Sequence, residues 1–211
     1  MCGIAGLLGQ HSSAMALAPA ILQSMTDAIR ARGPDAEGHW RDDSAGVALG
    51  HRRLAIIDLS DAGAQPMASA CGRFVIVFNG EIYNHLDLRK ALGAEGRAPD
   101  WRGHSDTETL LAAIAAWGLV LALQRAFGMF ALALWDRAEE SLTLARDRMG
   151  EKPLYWAEWN GHWAFASQPS ALRALPGFAP GLSRAGVAAY LARGYVAAQA
   201  SLMQGLMRVA P

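Results

Sequence analysis

The chain has 211 residues, 52% of them hydrophobic, enough for one large domain or two small ones and too apolar for a disordered segment. Lys plus Arg number 19 and Asp plus Glu 19, so neither a nucleic-acid binder nor a binder of anionic membranes is indicated, since both show a basic surplus or stripe. Cys2 and Cys71 are the only cysteines; they are too few for a disulfide scaffold and form no metal-ligand pair, which fits a reducing, cytoplasmic setting.

From the N-terminus, Cys2 to Gly9 reads as a short buried strand whose glycines allow something to approach its backbone. No basic residue precedes Arg30, so this apolar start lacks the charged flank of an export signal. A helix is predicted from Ala14 to Arg32, with Leu17, Ile21, Met25 and Ile29 on one face and Gly33-Pro34 ending it. Val47 to Leu59 and Phe74 to Phe78 read as strands, the second closed by the turn signal Asn79-Gly80. Helices are expected from His85 to Leu92 and from Ser105 to Trp117, the latter opened by a capping-box pattern of Ser105 and Glu108.

Short apolar strands follow at Gly128 to Asp136, Ser141 to Arg148, Leu154 to Trp159 and His162 to Ala166. The stretch from Ala126 to Trp135 is too short to span a bilayer, so a soluble protein is expected. Trp156, Trp159 and Trp163 suit core or cross-strand packing, and Cys71 suits a loop. A last helix, Ser183 to Arg193, precedes an irregular tail. Strand clusters with grouped helices favour an α+β domain. One main domain over residues 2–175 is expected, with a trailing segment over 176–211.

Cys2 is the first candidate for chemistry. Removal of Met1 would leave a thiol and a free α-amine on one residue, with reference pKa values of about 8.5 and about 7.7–8.0. A nucleophile and a base of matched proton affinity then need no histidine partner. The six histidines are spaced for no metal site, and Gly3, Gly6 and Gly9 do not spell a dinucleotide-binding loop. Taken singly, Asn79-Gly80 is a hairpin turn, Arg53 a strand-end charge and Asp106 an acid favoured at a helix N-terminus.

Together these residues fall into ordered blocks. Met1-Cys2-Gly3-Ile4-Ala5-Gly6 is followed by Arg32-Gly33-Pro34-Asp35 and by His51-Arg52-Arg53-Leu54-Ala55-Ile56-Ile57-Asp58. Asn79-Gly80-Glu81-Ile82-Tyr83-Asn84, His104-Ser105-Asp106-Thr107-Glu108 and Asp147-Arg148-Met149-Gly150-Glu151-Lys152-Pro153-Leu154-Tyr155 complete the series. In this order they resemble the class II glutamine amidotransferases, and most of all the asparagine synthetase branch.

The resemblance implies the four-layer αββα sandwich of N-terminal-nucleophile hydrolases. It implies that Cys2 attacks the glutamine side-chain amide, that Asn79 and the Gly80 N–H receive the oxyanion, and that Arg53 takes the α-carboxylate. Asp106, helped by Glu81, would hold the α-ammonium, and backbone groups at Ile56 and Ile57 would assist. No metal or cofactor is implied for this chain. ATP and Mg²⁺, with aspartate as acceptor, would belong to a synthetase domain whose Ser-Gly-Gly-x-Asp-Ser loop the sequence lacks. The chain is therefore expected to be the glutaminase part of a longer protein, in which a homodimer is allowed. Another acid acceptor, or a silent glutamine-binding module, is the alternative. Gln168 stands where the family usually carries Glu, at a position tied to the join between halves.

Overall fold

The computed structural model describes residues 1–9, 19–196 and 201–211. In chain order the elements are β1 (Gly3–Leu8), α1 (Pro19–Asp27), β2 (Ala36–Asp42), β3 (Val47–Arg53), β4 (Met67–Ala68) and β5 (Phe74–Ile82). Next come α2 (His85–Ala94), α3 (Asp106–Trp117), α4 (Leu119–Arg125), β6 (Gly128–Asp136), β7 (Ser141–Arg146) and β8 (Tyr155–Trp159). The chain ends with β9 (His162–Ala166), α5 (Pro169–Arg173), α6 (Arg184–Arg193) and β10 (Leu206–Arg208).

The strands form two antiparallel sheets, a six-stranded one ordered β10-β8-β9-β1-β3-β2 and a four-stranded one ordered β4-β5-β6-β7. Alternation along the strands divides the apolar side chains into three cores. Ala5, Leu7 and Ala48 leave the larger sheet on one side and pack with Leu22, Met25 and Ile29 from α1 and its C-terminal flank, and with Leu172 of α5. Ile76, Phe78, Leu132 and Leu134 leave the smaller sheet toward Leu88, Leu110, Ile114 and Ala122 of α2, α3 and α4. Between the sheets, Ile4, Val47, Leu49 and Phe165 meet Val75, Val77, Ala133 and Trp135. Three cores separate four layers, helix, sheet, sheet, helix. This is the αββα sandwich of the N-terminal-nucleophile hydrolases.

Several elements depart from the sequence expectations. The helix expected from Ala14 is described from Pro19 to Asp27, and Ala14 and Leu17 lie outside the described residues. A separate 3-10 turn, Arg30–Arg32, follows it. The strand predicted to run to Leu59 stops at Arg53, because the next N–H groups bond to side chains: Leu54 to Cys2 Sγ (3.4 Å) and Ala55 to the Asp35 carboxylate (2.9 Å).

Asn79 and Gly80 do not turn the chain. They continue β5, opposite Ala131 and Phe130 of β6. Gly80 is needed for a different reason, since a Cβ there would lie 2.3 Å from the Met129 carbonyl oxygen. The glycine allows two strands to pass closely. Gly6 plays the role expected of the first strand's glycines: a Cβ on it would strike the Phe165 ring at 2.4 Å.

The polar edge strand β2 and the short helices α4 and α5 carry no strong pattern and were not predicted. Of the capping box, Ser105 Oγ accepts the Glu108 N–H (3.1 Å), but the Glu108 carboxylate turns instead to the N–H groups of Arg102 and Gly103. Part of the tail is regular, since Leu206–Arg208 pairs with Tyr155–Ala157 of β8. Trp156 and Trp163 pack across the β8–β9 hairpin with ring centroids 5.1 Å apart, and Cys71 is exposed.

Candidate active site

The layer between the sheets is apolar along most of its length and polar at one end. On β3, Val47 and Leu49 face the core, and the same alternation gives that face His51 and Arg53 next. On β5, Val75 and Val77 are followed on the same face by Asn79 and Glu81. Cys2 stands two residues before Ile4, at the corresponding end of β1. Three adjoining strands thus turn from core to chemistry at one level. There they line a cleft of about 100 Å³, closed by Leu54–Asp58, the start of α3 and Lys152. All eight residues singled out from the sequence, Cys2, Arg53, Ile56, Ile57, Asn79, Gly80, Glu81 and Asp106, border this cleft.

Cys2 is half-buried. Its sulfur accepts the Leu54 N–H (3.4 Å) and lies 3.6 Å from the Leu54 carbonyl oxygen. Arg32 Nε donates to the Cys2 carbonyl (2.9 Å), so the backbone of the nucleophile candidate is held from behind. Burial pushes the Cys2 thiol up. The Leu54 hydrogen bond, the N-terminal ammonium and the Arg53 guanidinium pull it back, and the Asp106 carboxylate adds a smaller upward push. Met1 also borders the cleft, its sulfur accepting from the buried Lys152 ammonium at 3.1 Å.

The edge of β5 decides what faces Cys2. Phe130 exchanges bonds with Asp147, its carbonyl accepting from the Asp147 N–H (2.8 Å) and its N–H donating to the Asp147 carboxylate (3.1 Å). Phe130 therefore turns away from its partner Gly80, whose N–H and C=O must point off the far edge of β5. Along that edge, the Phe78 N–H donates to Gln65 Oε1 (2.6 Å), His51 Nε2 donates to the Phe78 carbonyl (3.1 Å) and the Ile82 N–H donates to Asp106 (2.8 Å). The Gly80 N–H lies between these held groups, beside the cleft. The Asn79 side chain is buried, and its Nδ2 has no hydrogen-bond partner. A buried donor without a partner costs about 1–3 kcal/mol, a cost that an incoming acceptor would remove.

The Arg53 guanidinium is held by the loop that follows it, Nη1 donating to the Ser60 carbonyl (3.0 Å) and Nη2 to that of Asp58. The loop is fixed in turn by the Asp58 carboxylate, which accepts from Ser60 Oγ, Ser60 N–H and the His104 N–H. These bonds, that of the Ser60 hydroxyl foremost, lower its pKa to about 2. Asp106 opens α3 and is buried, accepting from the Ile82 and Thr107 N–H groups (both 2.8 Å). Burial raises its pKa, and the two N–H groups and His85 oppose the rise. Ile56 and Ile57 expose their side chains, so only their backbone is suited to serve the cleft.

Arg32, His51, Asp58, Gln65 and Lys152 bear on the site although no motif or spacing marks a role for them. All but Gln65 sit inside the recognised blocks, where neighbours with plainer chemistry took the attention. Among the described residues no group of three or more His, Cys, Asp or Glu could hold a metal ion, and no helix is long and apolar enough to cross a membrane.

A family model described as a glutamine amidotransferase domain matches residues 1–211. The chain belongs to that family. Within it, this amidotransferase domain is similar to a Bacillus subtilis protein named asparagine synthetase [glutamine-hydrolyzing] 1. The two are 38% identical over 173 residues, 82% of this chain and 26% of the relative. A putative asparagine synthetase [glutamine-hydrolyzing] of Mycobacterium tuberculosis is 36% identical over 223 residues, covering 99% of this chain and 34% of that protein. The domain thus spans a quarter to a third of these relatives. The solved glutamine phosphoribosylpyrophosphate amidotransferase of B. subtilis superposes with a TM-score of 0.68 at 21% identity, over 82% of this chain and 43% of that one. That likeness supports the fold.

Proposed function

We propose that this domain hydrolyses glutamine to glutamate and ammonia through a thioester on Cys2, once Met1 has been removed. The observation that carries the reading is the Asn79 amide, a buried donor without a partner on the cleft that holds the Cys2 thiol. The freed α-amine takes the thiol proton, and sulfur adds to the side-chain amide carbon. The resulting oxyanion lies against Asn79 Nδ2 and the Gly80 N–H. Collapse returns the proton to the departing nitrogen and releases ammonia; a water then adds to the thioester and frees glutamate.

Arg53, already held by two carbonyls, presents its remaining N–H groups to the α-carboxylate. Asp106, with Glu81 beside it, takes the α-ammonium, and that cation favours the ionised form of a carboxyl that burial has raised. Backbone groups of Ile56 and Ile57 complete the grip. Because curated relatives bear the name asparagine synthetase [glutamine-hydrolyzing], we read the domain as the ammonia-supplying part of such an enzyme. ATP, Mg²⁺ and aspartate would act in a part of those proteins that this chain does not match.

Cys2→Ala tests the chemistry. Glutamate release should vanish while circular dichroism and thermal unfolding stay close to those of the parent, and Cys2→Ser should also be inactive, since a neutral hydroxyl is a far weaker nucleophile. Turnover retained in the alanine variant would end the thioester reading. Intact-mass measurement addresses the alternative of binding without turnover, because a retained Met1 keeps the Cys2 nitrogen in a peptide bond.

A further inference from the structure

We infer that His51 is a positioning residue for this reaction: by donating to the Phe78 carbonyl it fixes the stretch of β5 from which Asn79 and Gly80 present their donors. The inference rests on the glutaminase reading above and adds a part to it.

His51 is 1% exposed and lies on β3, in the opposite sheet from the strand it holds. Its Nε2 meets the Phe78 oxygen at 3.1 Å. A carbonyl only accepts, so Nε2 carries the hydrogen. The buried Nδ1 has no partner, which leaves no acceptor for a second proton. The ring is therefore a neutral donor of one fixed tautomer. The bond ties the two sheets together at the level where their facing side chains change from core to site.

Its placement along the edge of β5 gives it a more specific task. The Phe78 carbonyl and the Gly80 N–H are consecutive groups on that edge. The Phe78–Asn79 peptide is gripped on both sides, its oxygen by His51 and its N–H within the ladder to Ala131. That grip sets the direction of the Asn79 side chain. It also occupies a carbonyl oxygen that would otherwise direct free lone pairs beside the developing oxyanion. Gln65 holds the group before this peptide and Asp106 the Ile82 N–H further on, so His51 completes a row of side-chain bonds around the Gly80 N–H.

The test compares His51→Met with His51→Gln, which have similar length and differ in having an N–H to donate. Glutamate release is measured with Met1 removed, together with the rate at which iodoacetamide alkylates Cys2, a displacement that forms no oxyanion. His51→Met should lower kcat roughly 10–100-fold, less than the 10²–10³ expected for outright loss of an oxyanion donor, with KM and the alkylation rate nearly unchanged. His51→Gln should recover most of the lost kcat. An unchanged kcat in His51→Met, a rise in KM that accounts for the loss, or an alkylation rate that falls in step with kcat would each overturn the inference. A ¹H–¹⁵N spectrum of the histidine rings in the parent needs no variant to fold: neutral Nε2–H is expected at pH 7, and an Nδ1–H or doubly protonated His51 refutes it. Failure of the glutaminase reading is distinguishable, because it shows as turnover in Cys2→Ala whatever His51 does.

Discussion

Asn79 and Arg53 occupy equivalent places on facing strands, yet they should fail in different ways when changed. Asn79 Nδ2 has no partner in the free protein, so its bond is made where charge develops. Asn79→Ala should lower kcat by roughly 10²–10³ with a small change in KM. A change confined to KM would make it a ground-state binding residue. Arg53 already donates to Ser60 and Asp58, and its rigid fork is what a carboxylate needs. Lysine can supply neither the loop bonds nor a two-bond grip. Arg53→Lys should therefore raise KM roughly 10–100-fold, the equivalent of a charge-assisted hydrogen bond of about 1.5–3 kcal/mol, and spare kcat at saturation. Steady-state glutamate release distinguishes the two, and an unchanged KM removes Arg53 from the substrate's reach.

At the scale of elements, helix α3 connects local sequence to the site. Ser105 caps it by accepting the Glu108 N–H, and Asp106 is the first residue inside. Ser105→Ala should cost about 1 kcal/mol of stability, read from urea unfolding, and should raise KM for glutamine more than it lowers kcat. A stability loss without any KM change would mean that the first turn holds Asp106 unaided. Such elements were legible where one physical signal dominated. The Ser105 cap fixed the start of α3, and the apolar runs of β6 and β9 have the expected ends. The failures came where tertiary pairing overrode a local signal. Asn79-Gly80 is a strong turn pair by composition, but nine residues of β5 pair with β6 through it. Leu54 to Leu59 is apolar enough for a strand, yet its first N–H groups serve Cys2 and Asp35. The site was legible as blocks of residue types. The supporting parts, His51, Gln65 and, through the His104 N–H, Asp58, hold backbone groups of residues distant in sequence, and no single-sequence spacing reveals that.

For the whole molecule, the titration of groups at the site predicts how stability depends on pH. Full burial lowers the His51 pKa from 6.5 to about 4, the Phe78 bond opposing the shift. The unfolded chain therefore binds a proton between those values that the folded chain does not, and stability rises with pH across that window. In the other direction, it is lost as pH falls from about 6.5 toward about 4, at up to roughly 1.4 kcal/mol per unit for one group. His39, on the edge strand β2 and also lowered chiefly by desolvation, acts with the same sign. Asp58 opens a second window: with a folded value of about 2 against 3.8, its contribution is present above 3.8 and lost as pH falls through 2. Since Asp58 ties the loop around Arg53, its protonation should loosen the substrate grip as well. Urea midpoints measured from pH 7 to pH 3 should fall in two stages, and His51→Gln should flatten the first while leaving the second. An identical slope in parent and variant between pH 6.5 and pH 4 would show that His51 is not the group being protonated there, and that the brace between the sheets does not govern the acid response.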